Sequence, residues 1–162
     1  MSGLRTLALA LAAGLVLSGA AASAQTSPLG ALYVNNSYDP RANPYRDLER
    51  ALDRARAENK HVLIVVGGDW CGWCEILDTF LTRNVDVRAA FEASFVMLKV
   101  NYSPANENAA FLTGFPASRG YPDFFILDNN GTFLRQQDTG LLEHENDYDR
   151  ARMIAFAQRW RQ

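Results

Sequence analysis

The chain has few of the residues from which metal centres are built. Its 162 residues include two cysteines, Cys71 and Cys74, and two histidines, His61 and His144. A closed zinc site needs two further Cys or His ligands beside a cysteine pair. His61 opens an apolar run whose far end carries the cysteines, so it stands at the wrong end, and no metal is expected. A copper-handling protein is disfavoured because no His or Met set adjoins the cysteines. An excess of charge of one sign is also missing. Sixteen basic against eighteen acidic residues leave a formal net charge of −2, which points to neither nucleic acid nor an anionic membrane surface as partner. There is no internal repeat. Beyond residue 17 no apolar stretch is long enough to cross a bilayer. A hydrophobic content of 48% is ordinary for a globular fold, and the length suits one domain with something added.

The addition is at the N terminus. Residues 7–17 form an uncharged apolar run behind Arg5, and Ala22, Ser23 and Ala24 make a small-x-small cleavage pattern before Gln25. This reads as a signal peptide over residues 1–24, with an uncleaved anchor as the alternative. No cysteine stands at the cleavage site, so a lipoprotein is disfavoured. Removing the leader takes away Arg5, leaving 15 basic and 18 acidic residues and a net charge of −3. The alanine-rich leader suggests a bacterial periplasm, an oxidising compartment where a disulfide persists.

Residues 25–43, rich in Asn, Ser, Pro and Tyr, are either a loosely docked arm or an edge strand around residues 31–34. From there to residue 162 the pattern alternates strand and helix. Asn43 and Pro44 open a helix as N-cap and first-turn proline, and it ends near Asn59. Strands are expected at 62–66, 95–100, 124–127 and 132–136. The last two are joined by the hairpin signal Asp128-Asn129-Asn130-Gly131. A final helix is expected over 147–160.

The informative stretch runs from Val62 to Leu77. A β-branched apolar run breaks at Gly67 and Gly68, and Asp69-Trp70-Cys71-Gly72-Trp73-Cys74 leads into helical periodicity. Both thiols therefore sit at the mouth of a helix, where unpaired N–H groups and the helix dipole favour a thiolate. Cys71 should have its pKa lowered and be the exposed attacker. Cys74, one turn on and on the same side, is the resolving thiol, within the roughly 5–6 Å Cα separation of a disulfide. A structural bridge and half a zinc site are the plainer alternatives.

With Trp70 directly before a Cys-Gly-Trp-Cys centre, the segment resembles the active-site strand, loop and helix of the thioredoxin superfamily. The resemblance covers residues 43–162. It implies an α/β thioredoxin-like fold, a mixed central sheet with helices on both faces. It also implies a cis-proline before the third strand, and Pro122 matches that position, so that Tyr121 would present its backbone to an extended substrate. Trp70, Gly72, Trp73, Tyr121 and Pro122 become the expected substrate-contacting residues. Thioredoxins carry a buried acid six residues before the first cysteine, and here that residue is Val65. Lys99 matches the lysine that accompanies the acid, and is a candidate modulator of Cys74. No histidine precedes Cys74, which by comparison favours a reductase or interchange protein over a strong oxidase.

The expected function is that of an exported thiol–disulfide oxidoreductase acting on protein disulfides as a monomer. It would need no dissolved cofactor. A redox partner protein would reset the pair, for which a membrane thiol-transfer system is a candidate. The alternative is a non-catalytic binding or chaperone-like module using the same groove.

Overall fold

In a computed structural model the structure describes residues 29–162, and the predicted signal peptide lies outside the described residues. The apolar run after His61 is unbroken because strand β1 (His61–Gly67) is covered on both faces, and Val62 to Val66 are fully buried. β1 pairs in parallel with β2 (Phe95–Asn101) and antiparallel with β3 (Asp123–Leu127), which in turn pairs with β4 (Phe133–Gln137). The sheet order is β2-β1-β3-β4. The parallel step from β1 to β2 is made through helices α2 (Gly72–Arg83) and α3 (Val85–Ser94).

Alternation along the strands divides the core. Leu63, Val65, Met97 and Phe124 face α2, α3 and α5 (Arg150–Gln158). Ile64, Val66, Leu98 and Phe125 face α1 (Pro44–Glu58) and the short α4 (Ala109–Leu112). This is the expected mixed sheet with helices on both faces. Asn43 caps α1 by accepting from the N–H groups of Tyr45 and Arg46.

Two boundaries differ from the sequence expectation. The last helix begins at Arg150, because Asp149 takes the N-cap and accepts from Arg152 N at 2.8 Å. Asp147 and Tyr148 instead form β6, paired with β5 (Glu143–His144). β4 starts at Phe133 because the Asp128 carboxylate ties down the N–H groups of Asn130 and Thr132, keeping Thr132 in the turn.

The segment before α1 docks on the outer edge of β2. Val34 N donates to Met97 O and Met97 N to Leu32 O, both at 2.9 Å, which makes a single parallel bridge at Tyr33. One step further the Asn35 side chain replaces a strand backbone. Its Nδ2 donates to Lys99 O at 2.9 Å and to Asp47 Oδ2 at 2.8 Å, while its Oδ1 accepts from Lys99 N at 2.8 Å. Asn35→Ala should therefore orphan both backbone groups of Lys99 and loosen the arm, lowering stability by about 2 kcal/mol in urea denaturation. An unchanged midpoint would show that the arm is not held this way.

Candidate active site

Helix α2 begins where β1 ends, and the loop between them is tight. A methyl group on Gly67 would lie 2.4 Å from Cys74 Sγ and 3.1 Å from Tyr38 Oη. Only glycine allows those two atoms to share that space. Cys71 is the N-cap of α2, and its Sγ accepts from Cys74 N at 3.1 Å. The two cysteines are joined as a disulfide with a Cα separation of 5.2 Å. The sulfur at the first cysteine thus receives a helix N–H and the positive end of the α2 dipole. The expectation of an exposed Cys71 needs correction. It is 6% exposed and Cys74 2%, because both belong to the core cluster between the sheet and α2, against which Trp73 and Tyr121 pack.

One flank of the disulfide is aromatic. Trp70 is 55% exposed, and its indole Nε1 donates to Tyr102 O at 2.7 Å. Its ring meets Tyr121 edge-on at 5.3 Å, and Tyr121 stacks on Tyr102 at 5.1 Å. The Tyr121–Pro122 peptide bond is cis. Thr139 Oγ1 donates to Pro122 O at 2.7 Å, tying the following loop to this bend. Gly72 is exposed, and Trp73 turns away from Trp70 to meet Tyr148 edge-on at 5.6 Å. The structure therefore gathers Trp70 and Tyr121 into one aromatic group and packs Trp73 against Tyr148 instead.

The opposite flank is a polar cavity of about 270 Å³ lined by both cysteines, Tyr38, Asp69, Asp78 and Lys99, among others. The Lys99 side chain is only 4% exposed. Its ammonium is ion-paired with Asp78 Oδ2 and donates to Asn36 O at 3.3 Å. It also lies over the rings of Tyr38 and Tyr33, at 4.9 and 5.2 Å. Burial, and after it the negative charge of Asp78, hold the Tyr33 and Tyr38 phenols well above their usual range. The Tyr33 hydroxyl is near enough to feel that charge, yet it has no well-aligned hydrogen bond among the described residues. Asp78 escaped the sequence reading although its spacing from Cys74, one turn along α2, was the available signal. Tyr33 and Tyr38 had no such signal, since they come from the arm. Among the described residues no group of three or more His, Cys, Asp or Glu is arranged to hold a metal ion.

A family model described as thioredoxin-like matches residues 43–129. The chain belongs to the thioredoxin-like family. It carries a redox type of cysteine pair at the expected place, the end of β1 and the start of α2. This thioredoxin-like chain is also similar in fold to a disulphide isomerase from Xylella fastidiosa Temecula1. The two are 22% identical with a TM-score of 0.65, over 78% of this chain and 97% of that one. The C-terminal domain of Neisseria meningitidis DsbD in its reduced form matches with 20% identity and a TM-score of 0.54, over 74% of this chain and 98% of that one. No curated protein matches the sequence.

Two stability outcomes follow from the charges around this thioredoxin-like site. Asp78→Ala leaves the Lys99 ammonium buried without its carboxylate, and should cost about 3 kcal/mol at neutral pH in urea denaturation. Asp123, directly after the cis-proline, is held above the usual carboxylate range by burial, although Gln136 Nε2 donates to it at 2.7 Å. The folded protein thus binds this proton more tightly than the unfolded chain does. That stabilisation is present at acid pH and is lost as pH rises through the raised folded value. Asp123→Asn should accordingly gain stability relative to the parent as pH rises from about 4 towards neutrality. A difference that is flat with pH would contradict the assignment.

Proposed function

We propose that this chain is an exported thiol–disulfide oxidoreductase that exchanges disulfides with protein substrates, as a reductase or interchange protein. The observation that carries the reading is the Cys71 sulfur at the N-cap of α2, bonded to Cys74 and flanked by the cis Tyr121–Pro122 bend. In the reducing direction the Cys71 thiolate attacks one sulfur of a substrate disulfide. That bond breaks, the other substrate sulfur leaves as a thiolate, and a mixed disulfide forms. Cys74 then loses its proton and attacks Cys71 Sγ, expelling the second substrate sulfur and closing the Cys71–Cys74 bond. Two electrons pass from the protein dithiol to the substrate.

Helix N–H groups and the α2 dipole favour the thiolate at Cys71, whereas burial and the carboxylate of Asp78 in the same cavity disfavour it at Cys74. Val65 cannot take the Cys74 proton. Asp78 lines the same cavity as Cys74 and is the carboxylate assigned to that task, with Lys99 holding it in place. Trp70, Gly72, Trp73, Tyr121 and Pro122 form the surface against which the substrate chain lies. A redox partner protein, a membrane thiol-transfer system by this reading, resets the pair.

Export rests on the leader: residues 1–24 are the signal peptide, 25–43 the arm and 44–162 the thioredoxin-like domain, working as a monomer in the periplasm. Mass spectrometry of the mature protein should find the N terminus at Gln25, and recovery of the full chain in membranes would refute cleavage. A second reading, a non-catalytic binding module, draws on the low exposure of Cys71.

The thiols separate the two readings. Alkylation of the reduced protein near pH 7 should modify Cys71 first. Cys71→Ser should abolish insulin reduction, and Cys74→Ser should accumulate a mixed disulfide. Partner capture that survives loss of both cysteines, without insulin reduction by the parent, would favour the binding module.

A further inference from the structure

We infer that the cavity beside the disulfide is a subsite for a lysine or arginine side chain of the substrate polypeptide, on the residue next to its reacting cysteine. The inference rests on the disulfide-exchange reading and adds a specificity to it. Both cysteines line this cavity, and Trp70, Trp73, Tyr121 and Pro122 do not. In this proposal the substrate chain lies along the aromatic flank, with its reacting cysteine at the Cys71 sulfur, which this cavity also borders. A side chain beside the reacting cysteine is the group that can enter it.

The charge of the cavity selects that side chain. Asp69, Glu75 and Asp78 line it, and the one cation among its lining residues is Lys99. Lys99 is committed to Asp78 and to the Asn36 carbonyl. Asp69 and Glu75 are exposed, and neither carboxylate has an ion-pair partner among the described residues. Two negative charges at the rim are thus uncompensated.

A second observation comes from the wall supplied by the arm. Tyr38 is buried and lines the cavity, and its hydroxyl has no hydrogen-bond partner among the described residues. Its phenol feels the negative charge of both Asp78 and Asp69, so acceptors surround this space. Asp78 Oδ1 is buried without a partner as well, its other oxygen being taken by Lys99.

The carboxylates are not gathered tightly enough to ligate one metal ion. A spread-out rim of this kind suits an ammonium or guanidinium group, which carries several N–H donors over a wider volume. An acidic or neutral side chain at the same place meets repulsion or unpaired acceptors.

The test uses the Cys74→Ser protein, which stops at the mixed disulfide, and disulfide-linked synthetic peptides differing only beside the cysteine: Arg, norleucine or Glu. The quantity read is the ratio of second-order rates of mixed-disulfide formation, which cancels any effect on the reactivity of Cys71 itself. The Arg peptide should react about tenfold faster than the Glu peptide at low salt. The ratio should shrink as ionic strength rises. It should fall towards one when Asp69→Asn and Glu75→Gln are combined. A ratio at or below one in the parent, or one that persists in the double variant, overturns the subsite and leaves the exchange reading intact. Failure of Cys71 to react with any of the peptides overturns the exchange reading, and the subsite with it.

Discussion

A buried ammonium organises this molecule. Lys99 lies in β2 with almost no solvent exposure, and a charge there is tolerable only if every surrounding element contributes to its neutralisation. Helix α2 supplies the Asp78 carboxylate, and the arm supplies the Asn36 carbonyl and the faces of Tyr33 and Tyr38. The same residue is held at its backbone by the Asn35 amide, which reaches on to Asp47 in α1. A single side chain therefore fixes the arm, the sheet edge and the cysteine helix relative to one another. The cavity next to the disulfide is the space left between these three elements.

The cysteine pair depends on the same packing. Its Cα separation and the Sγ···N contact at the N-cap follow from the start of α2, which in turn is set by the end of β1. Gly67 permits the close approach of Cys74 and Tyr38, so the loop and the arm must be built together. The two flanks differ in chemistry because they come from different parts of the fold. Trp70, Tyr102 and Tyr121 form an aromatic surface around the cis bond. Asp69, Glu75 and Asp78 surround the cavity on the other side.

Most of the architecture was legible in the sequence wherever one element's own pattern decides its structure. The unbroken run 62–66 signals a strand covered on both faces, and α2 follows from periodicity after the glycine break. Asn43 and Pro44 announce α1 through local capping chemistry. The cis bond at Pro122 was legible only through family resemblance, since no local rule demands it. The start of α5 was misplaced because Asp147 and Asp149 are both residues that cap helices, and it is the pairing of Asp147 and Tyr148 with β5 that leaves Asp149 as the cap.

By itself the sequence determined the cysteine spacing, the strand–loop–helix unit that carries it, the family, and the apolar character of Val65 ahead of the pair. These are properties of neighbours along the chain, set by side-chain period, caps and glycine. Only the tertiary structure decided that Cys71 is nearly buried, that Asp78 is the partner of Lys99, and that Asn36, Ser37 and Tyr38 of the arm form one wall of the cavity. Those outcomes join residues far apart in sequence, and the requirement to neutralise a buried charge is met by whichever elements pack around it.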